Sequence, residues 1–312
     1  MKAIVVHEFG PPTVLRYEDA PAPSLGSGDV TVTVEAAGVG AWDALVREGK
    51  SGLGQSPPLI PGADLAGTVL SARTDAGEFC VGDSVYGVTN PLFSGAYAEV
   101  ALCKAAMLAR KPANLDFVEA ASVPVVGVTA WQMLFEYAKV EQGQTVLVHG
   151  AGGNVGLYGV QLAKHAGARV IASGSARDRD YVLGLGAERF LDFRAEPFEH
   201  VVHDVDVVLD TVGGEVLSRS FDVVRRGGVV VSSVAQPRDE DTKRSGARGA
   251  FFIVDVTTDR LDALTDLFET GALKARVGET LPLERAQEAH AMLAGAPHRP
   301  GRIVLRVAPF NR

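Results

Sequence analysis

The stretch from Val146 to Gly174, VLVHGAGGNVGLYGVQLAKHAGARVIASG, runs an apolar segment directly into glycines. Gly150, Gly152, Gly153 and Gly156, with Ala151, Asn154 and Val155 between them, stand where a strand-like run gives way to a helix-like one. In that setting one glycine makes the tight turn, another lets a pyrophosphate approach the backbone, and a third permits close helix–strand packing. The helix N-terminus adds N–H groups and a positive dipole. The spacing is Ala151-x-Gly153-x-x-Gly156, so an alanine replaces the first glycine of the usual fingerprint. The strand–turn–helix–strand context, more than the motif, predicts a dinucleotide cradle.

The end of the following strand discriminates between nicotinamide cofactors. NAD sites place Asp or Glu there to bond the ribose 2′-hydroxyl. Here the residues are Ala172, Ser173, Gly174 and Ser175, with no carboxylate until Asp178, and Arg177 and Arg179 flank that acid. Serine hydroxyls, backbone N–H groups and an arginine suit a 2′-phosphate, which an acid would repel. The expected cofactor is NADP(H).

Other residues with chemical potential carry less. Gly49-Lys50-Ser51 ends like a P-loop, but Ala44 stands where the earlier glycine belongs. His200 and His203 have metal-like spacing without a third ligand nearby, and read as a solvated face. His149 precedes the cradle and reads either as a phosphate contact or as a satisfied strand-end histidine. There is no GxSxG elbow. Cys80 and Cys103 are the only cysteines and form no CxxC, which excludes a disulfide framework or a zinc ribbon and fits two reduced thiols in a cytoplasmic protein.

These residues need elements to position them. The chain of 312 residues is long enough for two domains, and 46% hydrophobic with 22% charged residues is a globular balance. The formal charge of −8 argues against nucleic acid, and no apolar run approaches a membrane span. Up to about residue 120 the chain reads as short strands; DVTVTVEAAGVG (Asp29 to Gly40) alternates with period two. SGLGQSPPLIPG (Ser51 to Gly62) reads as a loop. Beyond two apolar helical segments, strands and helices alternate: TVLVHG, GLYGVQLAKHAG, RVIASG, DRDYVLGLG, ERFLDF, VDVVLDTVGG, EVLSRSFDVVRRG and GGVVVSSV. Near-continuous apolar strands with intervening helices predict a parallel, doubly wound sheet. The tail, with helices in DRLDALTDLFETG and LPLERAQEAHAMLAG and a strand in RIVLRV, shows no further βαβ unit and is assigned to the first domain. The expected division is 1–121 completed by 258–312, and 122–257.

With MKAIVVHEFG, GVGAWDALVREG, PGADLAGTV, GDSVYGV, GAYAEV, AASVPVVGVTAW, the glycine stretch and the closing GRIVL, the whole chain resembles the medium-chain dehydrogenase/reductase superfamily, in its zinc-free quinone oxidoreductase branch. The resemblance implies α/β architecture: a GroES-like, mostly β catalytic domain beside a Rossmann domain. Zinc members carry Cys near AAGVGAWD and His-Glu near PGAD; Gly40, Ala63 and Asp64 stand in those regions here, and the lobe with four structural cysteines is absent. No metal is expected. Quinone reductases often carry NPVD where this chain has GAWD, so an asparagine near the nicotinamide is missing. Their 2′-phosphate lysine aligns with Asp178, leaving Arg177 or Arg179 to substitute, and their adenosine-side tyrosine aligns with Phe193. Thr129, Phe252 and Arg299 complete the expected cofactor contacts. Trp42, Asp43, Asp64, Leu92 and Phe93 are the substrate-pocket candidates, without an assigned proton donor.

The implied activity is metal-free hydride transfer to a quinone or an α,β-unsaturated carbonyl. Three competing activities are compatible with the same fold. An enoyl-thioester reductase lacks its expected tyrosine in REGKSGL. An alcohol-oxidising relative and a crystallin-like nucleotide- or RNA-binding protein are the second and third. GAFFIVDV (Gly249 to Val256) reads as an apolar edge strand, and with the resemblance it predicts a homodimer or homotetramer.

Overall fold

The computed structural model describes residues 1–73 and 77–307. The chain divides into two compact units, Met1–Val125 with Val256–Arg312, and Val126–Asp255. The first unit opens with strands β1 (Lys2–Val6), β2 (Leu15–Asp19) and β3 (Asp29–Val39), then helix α1 (Ala41–Arg47). It continues through β4 (Asp64–Ala72), β5 (Ser84–Val88), β6 (Val100–Lys104), β7 (Leu108–Arg110) and α2 (Phe117–Ala121). Helix α3 (Pro124–Trp131) carries the chain into the second unit, so the crossing lies inside a helix, not ahead of it.

The second unit alternates β8 (Thr145–His149), α4 (Gly156–His165), β9 (Arg169–Gly174), α5 (Arg179–Gly184), β10 (Arg189–Asp192) and β11 (Val205–Asp210). It ends with α6 (Gly214–Ser220), β12 (Val224–Ser232), α7 (Asp239–Ser245) and β13 (Arg248–Phe251). The chain returns to the first unit as α8 (Thr258–Glu269), β14 (Val277–Pro282), α9 (Ala286–Leu293) and β15 (Arg302–Arg306).

The second unit's six strands pair in parallel in the order β10-β9-β8-β11-β12-β13. The order reverses between β8 and β11, which opens a crevice at the carboxyl ends of the strands. The central strands are buried on both faces: Val146, Leu147 and Val148 of β8 and Val207, Val208 and Leu209 of β11 are at most 1% exposed. That is why their sequences read as continuous apolar runs. The helix expected over EVLSRSFDVVRRG stops at Ser220, and β12 already begins at Val224. Val223 and Val224 are buried in the sheet's core cluster, so packing of the β-branched residues overrides the helical pattern.

In the first unit a mixed sheet runs β14-β15-β3-β4-β5-β7, with β6 also on β3, beside a β1–β2 ribbon. The inward side chains of β3, Val30, Val32 and Val34, pack with Leu65, Val85, Leu108 and Ile303. The tail differs from expectation. β14 and β15 pair in parallel and are joined through α9, so a βαβ crossover does lie there, added to the first unit's sheet. Strand β14 is an edge strand, VGETLP, with only Gly278 and Leu281 buried, which left too little apolar alternation to read. No helix among the described residues is long and apolar enough to cross a membrane.

Candidate cofactor site

The turn after β8 is built by its glycines. Gly150 takes φ +70°, and a Cβ there would collide with Thr211 Oγ1. A Cβ on Gly156 would collide with the Gly150 carbonyl oxygen, so this close helix–turn contact is one that only glycine permits. Ala151 fits in place of the first fingerprint glycine because it is fully buried, and its N–H donates to the Ser173 carbonyl at 2.9 Å. The turn is thereby tied to the end of β9. Among the described residues, the Asn154 and Val155 amides have no acceptor within the chain. They stand as open donors just ahead of α4, whose Leu157 and Tyr158 amides already donate to the Gly153 and Val155 carbonyls, and a helix N-terminus with such donors suits a pyrophosphate.

A cavity of about 570 Å³ opens over this turn, wholly within the second unit. Gly150, Gly152, Gly153, Ser173, Gly174 and Ser175 line its floor, and Arg177 and Phe193 also reach it. The Arg194 guanidinium sits over the Phe193 ring, 5.3 Å from its centroid, and lines the cavity too. Phe198, Val212 and Val216 add apolar lining of the kind that takes a purine, and the Arg219 guanidinium lies over the Phe198 ring. Arg194, Phe198 and Arg219 were missed in the sequence. The signal available was the arginine following the Phe193 alignment.

Arg179 lies elsewhere. Its guanidinium stacks 5.1 Å over the Phe190 ring, and it is absent from the cavity wall. The geometry therefore brings Arg177 and Arg194 together at the cavity and withdraws Arg179. Asp178, at the position aligned with the family's 2′-phosphate lysine, is buried and lines the wall. Its carboxylate packs on the cradle, 2.6 Å from where a Gly152 Cβ would lie, and Arg177 Nε stands 3.6 Å away.

The remaining expected cofactor contacts are dispersed. Thr129 is buried in α3, and Phe252 stacks on Tyr137 at 4.4 Å. Arg299 belongs to the first unit, where it pairs with Glu279 at 3.1 Å.

Within the first unit, Trp42 and Phe93 come together edge-on at 5.8 Å, while Leu92 is exposed. Asp43 and Asp64 are both buried. Asp43 caps α1 by accepting the Gly40 amide at 2.8 Å. Asp64 pairs with the Arg302 guanidinium and accepts the Val125 amide at 2.7 Å. Burial pushes both carboxyls up, Asp43 to about 7, and Arg302 opposes the shift at each. Among the described residues no cluster of three or more His, Cys, Asp or Glu side chains could hold a metal ion.

Comparison with known proteins agrees with this geometry. The family model described as "Alcohol dehydrogenase GroES-like domain" matches residues 26–113, and "Zinc-binding dehydrogenase" matches residues 185–305. The quinone oxidoreductase of Homo sapiens is 30% identical, over 98% of this chain and 97% of its own. The solved quinone oxidoreductase of Coxiella burnetii superposes with a TM-score of 0.91 at 31% identity, covering 99% of both chains. A mycobacterial protein solved in complex with NADPH gives 0.87 at 29% identity, over 98% of this chain and 99% of that one. An NAD-dependent alcohol dehydrogenase gives 0.90 at 29%, over 99% of this chain and 100% of that one.

Together, the GroES-like unit and the Rossmann unit with its glycine cradle define a medium-chain dehydrogenase/reductase. The chain belongs to the quinone oxidoreductase-like branch of that superfamily, and is an oxidoreductase that uses a nicotinamide cofactor.

Proposed function

We propose that the protein is an NADPH-dependent, metal-independent reductase of quinones or α,β-unsaturated carbonyls. The observation that carries the cofactor choice is the wall at the end of β9. There, Ser173 and Ser175 offer hydroxyls, Arg177 and Arg194 offer guanidinium groups, and residues 173–175 offer no carboxylate. Such donors favour a phosphate over a hydroxyl. When bound, the reduced nicotinamide supplies a hydride; the chain's residues supply orientation and a dry site.

Metal independence is supported by what fills the region where zinc members hold their ligands. A Cβ on Gly40 would lie 2.6 Å from Arg302 Nη1, so a cysteine there would collide with the guanidinium that pairs with Asp64. A fixed cation already neutralises this acidic spot. The matching model's description names zinc, which makes the metal content worth measuring directly. Without a Lewis acid, conjugated acceptors are favoured over isolated carbonyls and alkoxides. Trp42 and Phe93 provide an aromatic wall suited to a flat acceptor.

A second reading, NADH as cofactor, draws on Asp178 at the cavity wall and on the similarity to an NAD-dependent alcohol dehydrogenase. One experiment separates the readings. Purified protein is analysed for zinc, titrated with both cofactors, and assayed with 1,4-benzoquinone, an enone and ethanol. Tighter NADPH binding, conjugated-acceptor turnover and no stoichiometric zinc are expected. Zinc-restored ethanol oxidation with NAD would overturn the proposal.

A further inference from the structure

His149 ends β8 and Ser173 is its register partner on β9, so their side chains emerge side by side at the cavity floor. His149 Nδ1 and Ser173 Oγ are 2.7 Å apart, and the two residues are 1% and 5% exposed. The His149 ring also packs against Phe198 at 4.4 Å, and its Nε2 is buried with no hydrogen-bond partner among the described residues. Burial holds the imidazole neutral, with its pKa pushed down to about 4; Asp210 opposes the shift and Arg219 adds to it. The ring therefore carries a single proton, and only two arrangements are available.

In one, Nε2 carries the proton as a buried, unpaired donor, and Ser173 spends its only hydrogen on Nδ1. The serine then shows lone pairs to the cavity, which repel an anion. In the other, Nδ1–H donates to Ser173 Oγ, Nε2 keeps a bare lone pair, and the serine hydrogen is free to point outward. A phosphate offers acceptors and requires donors, so the second arrangement is the one compatible with it.

We infer that His149 is a positioning residue for cofactor choice: by donating to Ser173 Oγ it fixes that hydroxyl as a donor toward the 2′-phosphate of a phosphorylated adenosine in the same cavity. This rests on the NADPH reading. It assigns the preference partly to a buried pair and not to the arginines alone.

The test uses the full chain. NADPH and NADH are titrated against wild type, His149→Leu, His149→Asn, Ser173→Ala and the His149→Leu/Ser173→Ala double variant. Nitrogen-15 spectra of histidine-labelled protein report the ring tautomer. His149→Leu should weaken NADPH about tenfold, the loss of one charge-assisted bond, and NADH less than about twofold. His149→Asn, which keeps a donor near the Nδ1 position, should restore most of the loss. The double variant should be no worse than Ser173→Ala, since both remove the same relay. The spectra of the NADPH complex should show a proton on Nδ1. Tighter NADH than NADPH binding by the wild type would take down the cofactor reading and the relay with it. NADPH preference with equal losses of both cofactors in His149→Leu, additive losses in the double variant, or a proton on Nε2 would take down the relay alone.

Discussion

Arg302, the first residue of β15, reaches across the end of β3 to the buried carboxylate of Asp64, the first residue of β4. Gly38 and Gly40 clear its path. A Cβ on Gly38 would stand 2.9 Å from the Asp64 Cβ, and one on Gly40 would stand 2.6 Å from Arg302 Nη1. Removing one partner leaves a buried charge uncompensated. Asp64→Asn should therefore lower the unfolding free energy by about 3–5 kcal/mol, while Asp64→Leu with Arg302→Met should recover much of it. Urea unfolding followed by Trp42 fluorescence in a Trp131→Phe background reads this unit. A loss below about 1 kcal/mol in Asp64→Asn would show that the pair is not structural.

Acid should destabilise the fold through His290. The ring is buried, and its Nδ1 lies 2.9 Å from Arg47 Nη1, which donates to it. Burial, then Arg47, pushes its pKa from 6.5 down to about 3. Between those values the unfolded chain binds a proton that the folded chain refuses, so this contribution is present above pH 6.5 and lost as pH falls. Relative to His290→Gln, the wild type should lose about 1.4 kcal/mol per pH unit below that point. Unfolding free energies of both at pH 7, 6, 5 and 4 measure the slope. A difference that does not change with pH would show that the histidine titrates normally.

The arginines of the cofactor site should separate into two functional groups. Arg177→Ala with Arg194→Ala should weaken NADPH by about tenfold to a hundredfold and NADH far less, with the loss shrinking at high salt. Arg179→Ala should leave the preference intact, because that guanidinium is engaged with Phe190. Gly174→Asp should reverse the preference; its Cβ would meet Phe190 Cζ at 3.2 Å, close enough to need only a slight shift of the ring. Equal weakening of both cofactors in the double variant would defeat the charge argument.

Self-association is expected along β13. This strand has β12 as its one strand neighbour among the described residues, and Ile253 just beyond it is 61% exposed. An open edge of this kind invites pairing with a second copy. Sedimentation at micromolar concentration should show a dimer or a multiple of one, and Ile253→Lys should shift it toward monomer. A monomeric wild type would refute this.

What could be read from the sequence was local in the chain. The cradle and the end of β9 lie within one βαβ segment, so glycine spacing and strand patterning were enough to place them. Arg194, Phe198 and Arg219 come to the cavity from the β10–β11 connection and from α6, and no local pattern announces that convergence. The His149–Ser173 contact was equally hidden: it depends on the parallel register of two strands. The Asp64–Arg302 pair joins residues 238 positions apart, and the two glycines that admit it read only as turn or strand residues. Arg179 misled because an arginine beside a phosphate site and one stacked on a neighbouring ring look alike in sequence.

The division of the chain also sets an order of assembly on the ribosome. Residues Val126–Asp255 form a continuous segment and can complete their sheet as soon as they emerge. The other unit has to wait, because β15 is inserted between β14 and β3, two strands made far apart in time. Until Arg302 arrives, Asp43 and Asp64 have no guanidinium beside them, and the apolar flank of β3 is bare. A nascent chain stalled before residue 300 should thus hold a finished nucleotide-binding half and an open, protease-sensitive one that β15 has still to seal.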